Sequence, residues 1–152
     1  MRHLHWDGCV NVRDLGGVPT EQGTTTRSGL VVRADDIAPL TEPGWRALAD
    51  YGVRTVIDLR FPQERTPHPP HASPVTVVEI PLFGRIDRAT AERLDALVMD
   101  AADEAEAIRI MYVDALDVHG DRIAEAVDTV GRSLDTGAVL VHCAIGKDRT
   151  GI

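Results

Sequence analysis

Residues 53–59, Val-Arg-Thr-Val-Ile-Asp-Leu, constrain the fold more than any other stretch of this chain. The run is rich in β-branched residues and mostly apolar, with Val53, Val56, Ile57 and Leu59, as expected of a strand buried on both faces by covering helices. Such a strand belongs to a layered sheet whose neighbours arrive by helical crossovers, so strand and helix patterns should alternate around it. They do. Leu30-Val31-Val32-Arg33 reads as a short strand, and a helix follows, with Thr41 as its cap and Pro43 in its first turn. Trp45, Leu48 and Ala49 give that helix an apolar stripe, and Gly52 is placed to end it. After residue 59, Arg60 and Pro62 close the strand. The stretch from Phe61 to Pro74 holds five prolines and reads as an irregular surface loop, and residues 75–80 before Pro81 read as another strand.

From about Thr90 to Val118 the pattern turns helical and acidic, with Ile108, Met111, Tyr112 and Ala115 on one face. A separate helix is predicted from about Asp121 to Leu134, carrying Ile123, Val127, Val130 and Leu134 on one stripe. Gly137 then leads into Ala138-Val139-Leu140-Val141, a buried strand ending at His142. The predicted class is α/β, with a central, mostly parallel sheet flanked by helices. In such sheets ligands collect at the carboxyl ends of strands, here Asp58-Leu59-Arg60 and His142-Cys143.

At 152 residues, 43% of them apolar, the chain suits one domain, residues 1–152, with a sizeable core. A formal charge of −8 argues against nucleic acid or an anionic membrane as partner, so any anion binding must be local. The first nine residues hold no apolar signal core and no stretch is long enough to span a membrane. The expected location is therefore cytoplasmic, with no stable membrane insertion. Two distant cysteines, Cys9 and Cys143, suit reduced thiols rather than a disulfide framework.

Chemistry concentrates at the end of the chain, in His142-Cys143-Ala144-Ile145-Gly146-Lys147-Asp148-Arg149-Thr150-Gly151. A Cys-x5-Arg loop that follows a strand and opens a helix can turn successive N–H groups inward around the oxygens of a phosphate. Residues 144–149 supply that cradle. Gly146 lets the backbone bend tightly, and Arg149 offers a planar fork for two phosphate oxygens. The same field stabilises a thiolate, which makes Cys143 a nucleophile. Thr150 is placed to donate its hydroxyl to the sulfur, and His142 to hold the cysteine backbone in position. The bland alternative is a core cysteine followed by an incidental polar loop. Seven residue types at set offsets, between a strand and a helix start, weigh against it.

The string His-Cys-x-x-Gly-Lys-Asp-Arg-Thr-Gly resembles the signature of a bacterial family of atypical tyrosine and lipid phosphatases, within the protein tyrosine phosphatase superfamily. Asn11-Val12-Arg13-Asp14-Leu15-Gly16-Gly17 resembles that family's Asn-x-Arg-Asp-Leu-Gly-Gly motif, and Val56-Ile57-Asp58-Leu59-Arg60 with Glu64 its Asp-Leu-Arg strand end. The resemblance implies a phosphatase-like fold and two-step hydrolysis of a phosphate monoester through a phosphocysteine, without a metal or other cofactor. The implied substrate is a phosphotyrosine protein, or a phosphoinositide with Lys147 holding an extra phosphate. A non-catalytic phosphate-binding module is the alternative from another class. The leaving group needs a proton. Asp58, at the Asp-Leu-Arg position, is the first expectation for its donor, and Asp148 in the loop the second; Asp87, Asp114, Asp117 and Asp121 stand further off.

In the family, helices after the loop complete the core, whereas here only Arg149 to Ile152 follow. The expectation is therefore a domain truncated just after the loop, with the strand from Ala138 to Val141 uncovered on one side. A further C-terminal segment or a second chain is expected to complete it, and the 152 residues alone to be unstable or inactive. Weaker constellations take plainer roles. His3 with His5, and His68 with His71, lack the partners of a closed metal site. Arg13 with Asp14 reads equally as a structural pair steadying the sheet edge or as a substrate contact, and Arg60 with Glu64 reads as a local salt bridge rather than a ligand site.

Overall fold

The computed structural model describes residues 2–65, 75–84 and 87–152. Six strands form one sheet in the order β1-β2-β3-β6-β4-β5. The strands β3 (Val31–Ala34), β6 (Ala138–His142), β4 (Val53–Asp58) and β5 (Thr76–Glu79) run parallel, and two short antiparallel strands, β1 (Arg2–His3) and β2 (Arg13–Asp14), extend the β3 edge. The parallel register aligns Ala34, His142, Asp58 and Glu79 in one crosswise row at the carboxyl ends. That row is the platform on which the loop after β6 stands.

Side chains alternating along β4 and β6 build two cores, as the period of two demands. One face carries Val53, Val56, Ala138 and Leu140, packed under helix α1 (Glu42–Asp50) together with Trp6, Val12, Ile37 and Leu48. Thr41 caps α1 by accepting from the Gly44 N–H, and Gly52, at φ 97°, follows its end. The other face carries Ile57, Leu59 and Val139 with Cys143, and is covered by Ile123, Ala126, Val130 and Leu134.

The first three of those covering residues lie on helix α3 (Glu104–Ser133) and Leu134 is its C-cap; this helix differs from the sequence pattern in two ways. The single helical region expected over 90–118 is broken between α2 (Arg88–Val98) and α3, where Asp103 caps the new helix by accepting from the Glu106 N–H at 2.9 Å. The separation expected near residue 120 is instead a kink inside α3, at His119 (φ −118°, ψ 19°). The helix bends there without ending, because both halves keep packing partners. The C-terminal half covers much of the β6 face expected to lie open: Ala138, Val139 and Leu140 are buried, while Val141, at the end of that span, is half-buried. Val127, by contrast, sits 65% exposed, off the stripe predicted for it.

Candidate active site

Chain direction leaves β6 at His142, and the next five residues wrap tightly around the Cys143 sulfur. Their carbonyls are drawn outward one after another. The Asp36 N–H donates to the Ala144 carbonyl at 3.0 Å, and Asn11 Nδ2 donates to those of Ile145 and Gly146 at 2.9 and 3.3 Å. Arg33 Nη2 donates to the carbonyls of Gly146 and Lys147 at 2.5 and 3.2 Å. In a planar trans peptide the N–H opposes its carbonyl, so pulling the oxygens out turns the amides in. The Gly146 N–H accordingly donates to Cys143 Sγ at 3.2 Å. Gly146 is required twice over. Its φ is +69°, and a Cβ there would lie 2.3 Å from the Ala34 carbonyl oxygen.

Beneath the loop lies a sealed ionic floor. Arg60, fully buried, donates through Nε and Nη2 to the Asp58 carboxylate at 3.0 and 2.8 Å, and through Nη1 to Asp36 at 2.7 Å. Burial by itself pushes the Asp58 carboxyl up, but the hydrogen bonds and charge of Arg60 outweigh it and hold the group below the usual carboxylate range. His142 Nε2 lies 3.7 Å from Asp58, yet burial pushes the imidazole down to about 4, so near neutral pH it is uncharged. We therefore treat the contact as an ion–dipole approach rather than a salt bridge.

Above the loop the same residue types stand half open. Glu64, in a 3-10 turn over Pro62–Glu64, takes a two-pronged bond from Arg149: Nη1 to Oε2 at 2.5 Å and Nη2 to Oε1 at 2.9 Å. The Phe61 N–H also donates to Glu64, and the Arg149 guanidinium lies 4.7 Å over the Phe61 ring. The bond from Arg149 holds the Glu64 carboxyl below its ordinary range. Asp148 accepts from the Tyr112 hydroxyl at 2.5 Å, which together with burial pushes that phenol up to about 12. Lys147 is exposed beside them, and all three loop residues line a cavity under α2 and α3.

A family model described as "Tyrosine phosphatase family" matches residues 4–152. The chain belongs to the tyrosine phosphatase family. Among its relatives, a Cupriavidus necator protein named "Putative tyrosine-protein phosphatase" is 30% identical over 166 residues, covering 99% of this chain and 55% of that protein. A Nostoc commune protein named "Tyrosine-protein phosphatase" is 29% identical over 141 residues, covering 88% of this chain and 44% of that one. The chain thus spans about half the length of these relatives.

Within this member of the tyrosine phosphatase family, the loop residues Cys143 to Arg149 come together as expected, and His142 is buried beneath them with Nδ1 3.3 Å from the Cys143 carbonyl. The expectation for Asp58 is not supported by its place: at 1% exposure and locked to Arg60, it is held ionised and has no route to a leaving group. Thr150 does not reach the sulfur either. Its hydroxyl is buried without a hydrogen-bond partner among the described residues, while Gly151 N and Ile152 N close a turn on the Asp148 carbonyl. Glu64 pairs with Arg149, and Arg60 with Asp58 and Asp36, so the predicted Arg60–Glu64 pair is replaced by three others.

Asp14 is buried as expected of a structural residue, but it accepts from the Gly16 and Gly29 N–H groups and the Tyr51 hydroxyl, with Arg13 exposed beside it. Cys9 is a free thiol that donates to the Asp36 carbonyl at 3.3 Å; burial and the charges of Asp35 and Asp36 push it up to about 12. Of the outlying carboxylates, Asp87 caps α2 and Asp114 is bound by Arg93. His3 and His5 pack edge to face, with His3 against the Val10 carbonyl, and His68 and His71 lie outside the described residues. Four contributors escaped sequence reasoning: Asn11 and Arg33 as clamps of the loop carbonyls, Glu64 as partner of Arg149, and Tyr112 as donor to Asp148. Two of them had a visible signal: Asn11 opens the motif resembling Asn-x-Arg-Asp-Leu-Gly-Gly, and Glu64 accompanies the one resembling the Asp-Leu-Arg strand end.

Proposed function

We propose that this protein is a cysteine-dependent phosphatase that hydrolyses phosphotyrosine through a phosphocysteine. The observation that carries this reading is the ring of outward-tied carbonyls around Cys143, which leaves an amide-lined cup with the sulfur at its base. Cys143 attacks phosphorus as the thiolate, the P–O bond to the tyrosyl oxygen breaks, and that oxygen takes a proton from Asp148. Water then attacks the phosphocysteine, gives its proton to the Asp148 carboxylate, and releases phosphate and the thiolate. Arg149 binds two of the phosphoryl oxygens as charge spreads onto them. Its bonds to Glu64 use two of five guanidinium N–H donors, and among the described residues no other acceptor is bonded to the rest.

Asp148 replaces Asp58 as the proposed proton donor because it is half-exposed on the cavity wall beside Arg149. Asp58 instead serves the floor. Lys147, exposed on the same wall, supports a phosphoinositide reading, which loss of phosphoinositide turnover alone in Lys147→Ala would favour. For the main reading, rapid-quench mass spectrometry during turnover of a phosphotyrosine peptide should find phosphate on Cys143. Cys143→Ser should lower turnover by about 10⁴-fold or more with an unchanged melting temperature. A Cys143→Ser protein that kept its rate would sink the covalent route.

A further inference from the structure

Beside the loop is a space much larger than the cup itself. A cavity of about 440 Å³ opens between α2, the N-terminal half of α3 and the loop residues Lys147 to Arg149. Phe61, Phe83, Leu94, Ile108 and Met111 are among its walls. Its charged pair at the wall, Arg93 with Asp114, is closed on itself by bonds of 2.6 and 2.8 Å, and Tyr112 is tied to Asp148. The surface left for a ligand is therefore chiefly apolar.

Size decides what this space can take. A dry cavity of about 150 Å³ accepts a benzene ring. One phosphorylated ring thus fills roughly a third of the volume and leaves room for a second group of similar size. The walls also favour a flat one. The rings of Phe61 and Phe83 lie 6.3 Å apart and those of Phe83 and His119 5.5 Å, forming a row of aromatic rings that starts under the Arg149 guanidinium.

We infer that this cavity is a subsite for an aromatic group attached beyond the phosphorylated ring, and that the preferred substrates are aryl phosphates with an extended, apolar leaving group. The inference rests on the phosphatase reading above. The phosphate sits in the cup on Arg149, the first ring leaves along Phe61, and the second lodges against Phe83, Leu94 and Met111. Met111, a flexible side chain 42% exposed, can adjust to the ligand's outline.

The test uses the purified full-length protein. Turnover of phenyl phosphate checks the phosphatase reading, and its absence would overturn that reading rather than the subsite alone. Calorimetric titration into Cys143→Ser then compares phenyl phosphate with 4-biphenylyl phosphate and decyl phosphate. The biphenylyl ester should bind roughly tenfold tighter than the phenyl ester, as expected for one more buried ring. Adding Met111→Ser or, separately, Ile108→Ser should bring that ratio towards one. Both side chains edge the cavity, so melting curves should stay near the parent's. Turnover of phenyl phosphate combined with equal binding of the two aryl esters would refute the subsite. A ratio untouched by both substitutions, or a decyl ester gaining as much as the biphenylyl one, would also refute it as an aromatic site.

Discussion

Two arginine–carboxylate pairs stand one above the other in this molecule, and they differ in almost everything except their chemistry. Arg60 with Asp58 lies under the loop with both side chains at 1% exposure or less, while Arg149 with Glu64 lies over it at 12% and 30%. In the lower pair, separation would strand a charge in a low-dielectric interior, so the pair is permanent. In the upper pair, water and a phosphate can compete for the guanidinium, so the same bond becomes exchangeable. Burial, rather than residue type, sorts these groups into scaffold and chemistry. The two aspartates follow the same division: Asp58 is held ionised beneath the sheet ends, and Asp148 faces the cavity.

The sharpest way to break this comparison is to make the same substitution on each level. Asp148→Asn should lower kcat on a phosphotyrosine peptide by roughly 10²- to 10⁴-fold while leaving stability nearly intact. Asp58→Asn should do the reverse, costing about 3–5 kcal/mol of folding free energy as the buried Arg60 loses the Asp58 charge while keeping Asp36, with kcat per folded molecule changed little. Urea denaturation alongside steady-state kinetics reads both. Should Asp58→Asn abolish turnover in a stably folded protein, floor and mouth would have to exchange roles.

A pH experiment sharpens the lower level. Burial lowers the folded-state value of His142 from 6.5 to about 4, so below pH 6.5 the unfolded chain takes up a proton that the folded one refuses. Stability should thus fall as pH drops from about 6.5 to about 4, by about 3 kcal/mol from this group, and the slope should end near 4. Asp58, whose folded-state value is depressed, adds a loss only as pH falls below the ordinary aspartate range. His142→Gln should flatten the denaturation midpoint between pH 6.5 and 4; an unchanged slope would mean other groups set it.

The smallest effect belongs to the upper pair. Glu64→Gln should reduce kcat/KM for para-nitrophenyl phosphate about fivefold, the worth of a partly exposed pair of about 1 kcal/mol, with Glu64→Asp recovering part of it. A loss as large as that for Asp148→Asn would show that Arg149 depends on Glu64 as tightly as Arg60 depends on Asp58.

Much of the scaffold was legible in the residues alone. The buried strands at residues 53–59 and 138–142, the Thr41 cap and the Cys-x5-Arg loop all follow from local rules, since β-branched runs, caps and glycine turns act over a few residues. The break before Asp103 was harder to see, because Asp100-Ala101-Ala102-Asp103 contains no glycine or proline and the stop lies in a cap.

By itself, then, the sequence determined that this is a mostly parallel α/β sheet with Cys143 and Arg149 in one Cys-x5-Arg loop after a strand. Only the tertiary structure decided which carboxylate serves which purpose. Arg60 bonds Asp58 two residues away and Asp36 from another element, whereas Arg149 meets Glu64 across 85 positions. Asn11 reaches Ile145 across 134. Sequence spacing carries no record of such meetings or of the solvent they exclude, and in this protein solvent exclusion separates the buried Asp58 from the half-exposed Asp148.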